Sequence, residues 1–149
     1  MGRAVLVALG TGAVISSVAA LGIGAAVTSA PRTLSRAQYE AAMADIDALR
    51  PALRARCEAL TGPDEELCRA QTAAAEMVRV AALEESFRRT PEAAKETQRA
   101  RIEARYQVAR AKCAALGGSQ RDSCMISVHA TKGRSLLEAQ APYLLRQPE

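Results

Sequence analysis

Reactive chemistry in this chain falls to five side chains: Cys57, Cys68, Cys113, Cys124 and the lone histidine, His129. Four thiols can hold a tetrahedral metal ion, exchange disulfides or pair into structural bridges. Ligands that converge on one zinc ion usually lie two to four residues apart, whereas here the members of each pair are eleven apart. The chain also lacks the C-x-x-C of thiol exchange and the C-x-x-C-H of haem attachment. An even number of cysteines, all downstream of an apolar N-terminal stretch, points instead to disulfides made in an oxidising compartment. Any Ser-His-Asp or Cys-His catalyst would need His129, and the sequence gives it no acidic partner, so it reads as a surface or half-buried histidine on a helix. Glu65-Glu66 and Glu84-Glu85 are adjacent in sequence, and on a helix such pairs point apart and serve solubility. These residues predict no catalytic, cofactor-binding or metal-ligating site, and no enzyme.

Composition narrows the elements that position these residues. Alanine supplies 33 of 149 positions, aromatic residues only 3%, and tryptophan is absent. Sandwiches and barrels draw on β-branched and aromatic residues, so an all-α fold is expected. Arginine makes up 17 of the 20 basic residues, and the net charge is +4. Arg50, Arg54, Arg56 and Arg88-Arg89 alternate with acids, as on a solvated face. Nucleic-acid binding asks for a concentrated basic patch with stacking aromatics and is not expected.

The cysteine pairs are offset from one another by 56 residues, and the same shift aligns much more. Ile46 falls on Ile102, Ala48 on Ala104, Arg54-Ala55 on Arg110-Ala111, Ala59-Leu60 on Ala115-Leu116 and Gly62 on Gly118. That gives 9 identities in 23 aligned positions, where this alanine-rich composition yields about two by chance. The chain therefore contains an internal repeat, with units at 31–89 and 90–149.

Each unit reads as helix, tight turn, helix. Ser35 and Gln38 form a capping box, flanked by Leu34 and Tyr39 as a hydrophobic staple. Tyr39, Met43, Ile46, Leu53, Cys57 and Leu60 then make one apolar helical stripe. Gly62-Pro63-Asp64 breaks it, and a second helix is expected from about Glu65 to Arg89. Thr90-Pro91 marks a third start, with proline at the first helical position. Ile102, Tyr106, Ala109, Cys113 and Leu116 repeat the stripe until Gly117-Gly118. The fourth helix should begin at Ser119, weaken at Gly133 and stop near Pro142, while Pro51 should kink the first near Asp47 to Arg50. Four cysteines allow three connectivities. Because each pair sits across the neck of a hairpin, Cys57–Cys68 and Cys113–Cys124 fit best. The expected architecture is two disulfide-stapled antiparallel helical hairpins, about four helices in all. The twin CX9C hairpin does not fit, because its motifs lie within continuous helices and these spacers contain helix breakers.

Residues 1–30 read as an export segment: Arg3, then 28 consecutive uncharged residues, with an apolar run over 4–27. A cleaved signal peptide would be cut after Thr28-Ser29-Ala30, ahead of Pro31, or after Val18-Ala19-Ala20. A retained membrane anchor would use the ladder Gly12, Ser16, Ala20, Gly24 and Thr28 for close helix packing, although Arg32 and Arg36 run against the positive-inside rule. Either reading exports residues 32–149, into the periplasm or to the periplasmic side of an inner membrane. No cysteine lies where a lipoprotein anchor would need one.

Leu34-Ser35-Arg36-Ala37-Gln38-Tyr39, Ile46, Arg56-Cys57-Glu58-Ala59-Leu60-Thr61-Gly62 and Cys68 together resemble small exported alanine-rich proteins of beta-proteobacteria. The resemblance covers about residues 33–130. It implies two cysteine-paired units in the cell envelope and carries no activity, although the group is sometimes loosely labelled as cell-envelope biogenesis proteins. Pro51, the arginine richness and the long apolar leader depart from its pattern. Leu34-Ser35-Arg36-Ala37-Gln38 also resembles the LTxxQ motif of periplasmic stress chaperones. The expected function is a non-enzymatic envelope protein, a structural or interaction module with a protein partner; the alternative is a periplasmic helical-hairpin chaperone or stress-response protein.

Overall fold

The computed structural model of the chain describes residues 33–144, with side chains as far as 141. The export segment, its apolar run at 4–27 and both cleavage positions lie outside the described residues. Four α-helices follow one another: α1 (Arg36–Glu58), α2 (Gly62–Arg88), α3 (Pro91–Ala114) and α4 (Gly118–Leu144). At 23 to 27 residues, each is about 35–40 Å long.

Local chemistry sets the helix ends. The Ser35 hydroxyl accepts the Gln38 amide at 3.2 Å, and the Gln38 side chain accepts the Ser35 amide at 2.9 Å, which completes the capping box. Thr90 caps α3 by accepting the Ala93 amide at 3.1 Å, with Pro91 next in the chain. α2 ends on Arg89 in the left-handed region (φ 52°), giving a two-residue turn between α2 and α3. The other two turns are repeat copies of each other. Leu60 donates its amide to the Cys57 carbonyl and Leu116 donates to that of Cys113, both at 3.0 Å. Gly62 and Gly118 then take positive φ (60° and 50°), where a side chain would be strained.

These turns close earlier than the sequence suggests. α1 stops at Glu58 and α2 starts at Gly62, three residues before Glu65. Leu60 and Leu116 therefore drop out of their stripes and lie 41% exposed. α1 runs through Pro51 as a single helix. α4 likewise continues through Gly133 and past Pro142 to Leu144. A glycine costs only about 1 kcal/mol in a helix, and Pro142 interrupts bonding in a turn that is ending anyway.

Short connections make successive helices antiparallel. Arg50 meets Glu76 across α1–α2, Thr97 meets Ala81 across α2–α3, and Lys132 meets Glu103 across α3–α4. Each helix packs only on its neighbours in the chain: among the described residues α1 touches neither α3 nor α4, and α2 does not touch α4. The result is an open single layer of helices, not a closed bundle. Its largest interface is α2–α3, between the two repeat units. Apart from Ile102, the most buried residues are correspondingly small or sulfur-bearing: Ala74, Ala93, Thr97, Ala104, Cys57 and Cys113.

Candidate functional site

Both sulfur pairs occur as the hairpin necks require. Cys57 is bonded to Cys68 and Cys113 to Cys124, with Cα atoms 5.4 and 5.6 Å apart, and no described cysteine is free. Among the described residues no three His, Cys, Asp or Glu side chains gather where a metal could sit. His129 is exposed. Its ring lies 5.3 Å from that of Tyr106, tilted by 57°, with Nδ1 3.3 Å from the Tyr106 hydroxyl. Lys132 caps the same tyrosine 4.1 Å from its ring centre and pairs with Glu103 at 2.6 Å. That hydrogen bond holds the Glu103 carboxyl below the usual carboxylate range, against the opposing effect of partial burial.

One member of each adjacent carboxylate pair is engaged by another side chain. Glu65 pairs with Arg69, while Glu84 accepts the Tyr39 hydroxyl, a bond that raises the Tyr39 pKa. Tyr39 also stacks on Phe87 at 4.6 Å. On α1–α2 a cavity of about 460 Å³ is bordered by Arg50, Arg54 and Arg69. Its charge is largely answered within the molecule, because Arg50 binds both Glu76 and Asp47 and Arg69 binds Glu65.

A different arrangement lies along α2–α3. Thr97 donates its hydroxyl to the Ala81 carbonyl at 2.9 Å, and Ala74, Ala93 and Ala104 are buried beside it. Small residues on both helices leave an open groove of about 660 Å³. Its floor is Ala74, Ala75 and Val78 from α2, with Ala104, Val108 and Ala109 from α3; its rim is Arg79, Arg105 and Lys112. Among the described residues no carboxylate pairs with any of these three cations. Helical periodicity explains the sorting. Arg101, Arg105 and Lys112 recur at intervals of four and seven on one face of α3, while Glu96 and Glu103, seven apart, share the opposite face. The two glutamates are engaged there by Arg88 and Lys132.

The groove was hidden in the sequence. Arg101, Glu103 and Arg105 alternate along the chain and look like a mixed solvated face, yet the helix sends them to opposite sides. The readable signal was the spacing of Arg101, Arg105 and Lys112, taken together with Val108 between them. Comparison with known proteins adds no relative: no family model, no curated protein and no solved structure matches the chain.

Proposed function

We propose that this chain is a non-enzymatic exported protein of the cell envelope, an interaction module that holds an acidic, amphipathic polypeptide segment in the α2–α3 groove. The groove carries this reading: an apolar floor beside three cations that no carboxylate of the described chain answers. An apolar segment flanked by carboxylates would cover the floor and supply the missing counter-charges. Export is supported by the N-terminal charge layout and by two disulfides compatible with an oxidising compartment. Placement in the periplasm, or anchored at the inner membrane through residues 4–27, is tested by the mass and fractionation of the native protein. Loss of at least the first 20 residues with release by osmotic shock marks a cleaved signal, and an intact N-terminus in the membrane fraction marks the anchor.

The test of function uses the full chain and a synthetic acidic amphipathic helix. Binding should weaken at least tenfold on Arg105→Glu with Lys112→Glu, and should fall with added salt. Equal affinity for a charge-reversed peptide would overturn the reading. A second reading, a periplasmic chaperone, is favoured by the openness of the same groove. It requires the full chain to suppress aggregation of an unfolded client, and Val108→Glu to abolish that effect.

A further inference from the structure

The α2–α3 interface joins the end of one repeat unit to the start of the next, so the repeat places equivalent surfaces on both edges of the layer. A shift of 56 residues carries α3's buried Ala93, Thr97 and Ala104 onto Ala37, Ala41 and Ala48 of α1. The same shift carries α2's Ala74 and Ala81 onto Ala130 and Leu137 of α4. At the edges all five are exposed, and Leu137 is 70% exposed. Repeat arrays that end at one unit normally cap the outer face with polar side chains. Among the described residues neither edge carries such a cap: the two ends of the layer present the two halves of an interface the molecule already builds inside itself.

We infer that a second copy of this chain docks head to tail, α4 of one against α1 of the next, in the antiparallel register of α2–α3. The pairing of large residues with small ones supports the docking. Within the chain Ala81 faces the larger Thr97, and in the same register Ala70 faces the larger Val108. At the junction between copies the sizes exchange sides: Leu137 meets Ala41 and Ile126, 72% exposed, meets Ala52, with Ala130 against Ala48 as Ala74 is against Ala104. Large and small residues swap helices across the seam, and because leucine and isoleucine stand where threonine and valine stand within the chain, the junction between copies buries more apolar surface than the internal seam. No hydroxyl is left without its partner, because Ala41 stands where Thr97 would. Charge agrees as well, since Arg134 falls across from Asp45 on the same side of the seam. An interface between two different edges does not close on itself, so each added copy exposes a fresh α1 and a fresh α4.

The experiment measures the mass of the full chain in solution against concentration. Wild type should grow past the dimer. Ala48→Arg and Leu137→Glu alter exposed edge positions only; each alone should be monomeric with unchanged helix content. Mixed in equal amounts they should form a dimer and stop there, since one intact α1 edge and one intact α4 edge remain between them. Arg105→Glu should leave the assembly unchanged, which separates this inference from the groove reading. A wild-type chain that stays monomeric would overturn it. Dimers formed by Ala48→Arg alone would replace it with a symmetric α4–α4 contact, and dimers formed by Leu137→Glu alone with an α1–α1 contact.

Discussion

Between α1 and α2, and again between α3 and α4, the contacts are long side chains and a covalent bond: Arg50 with Glu76 and Tyr39 with Glu84 in the first hairpin, Glu103 with Lys132 in the second, and one disulfide in each. Between α2 and α3 the helices meet through alanines and a threonine whose hydroxyl bonds a backbone carbonyl. The hairpins bury few residues and are stapled; the seam between them is unstapled and holds most of the buried positions. Surface ion pairs are each worth about 0–1 kcal/mol, so a hairpin of this kind needs its crosslink, whereas close-packed small residues hold a seam without one. A crosslink thus stands where packing is thin.

The sharpest break of that contrast is removal of the staples. Replacing each cysteine pair by alanine should lower stability by about 2–3 kcal/mol per loop, nearly additively because the loops are separate. Thermal unfolding followed by circular dichroism should show lower midpoints with helix content unchanged below them.

Next in size is a difference between the hairpins themselves. Pro51 in α1 occupies the repeat position of Gln107 in α3, whose side chain bonds Glu103 at 2.6 Å. Pro51→Gln should stabilise the chain by up to about 3 kcal/mol, measured by denaturant unfolding. An unchanged midpoint would mean that α1 contributes little to the cooperative unit.

The seam is probed by paired substitutions at equivalent sites. Ala93→Leu, at a position 1% exposed, should cost about 1–3 kcal/mol through overpacking. Ala37→Leu, its exposed counterpart in α1, should cost a few tenths at most when both are measured on monomeric chain. Equal costs would show that α2–α3 is no tighter than a free edge.

The smallest effect is electrostatic and belongs to the second hairpin. Glu103 has a lowered pKa in the folded chain, chiefly through its hydrogen bond to Lys132. Its contribution is therefore complete above the ordinary carboxylate pKa, about 4.3, and is lost as the pH falls through the lower folded value. The stability gap between wild type and Glu103→Gln should narrow in acid.

Much of the hairpin architecture could be read from the chain, because caps and breakers act locally. Ser35 with Gln38, Thr90 with Pro91 and the glycines at 62 and 118 fix helix ends through bonds within a few residues. The seam could not be read in the same way. In α2, Ala73, Ala74 and Ala75 are equally apolar, so periodicity cannot say which of them is buried; only Ala74 is. Thr97 is polar by type and yet 1% exposed, because its hydroxyl finds a carbonyl on the neighbouring helix. The groove escaped for a related reason: its cations alternate with acids along α3 and separate only in space.

The staples also have a polarity along the layer. Antiparallel succession places the α1–α2 and α3–α4 turns, with both disulfides, at one end, and the Arg89–Thr90 turn at the other together with the start of α1 and the end of α4. Opening of the native chain is thereby given a direction. α1 and α4 each have a helix on one side only among the described residues and can peel outward from the ends away from the disulfides, α1 against the Tyr39 contacts to Glu84 and Phe87, so amide exchange should run faster near Gln38 and Gln140 and slow toward Cys57 and Cys124. Reduction would erase that gradient before it melted a single helix.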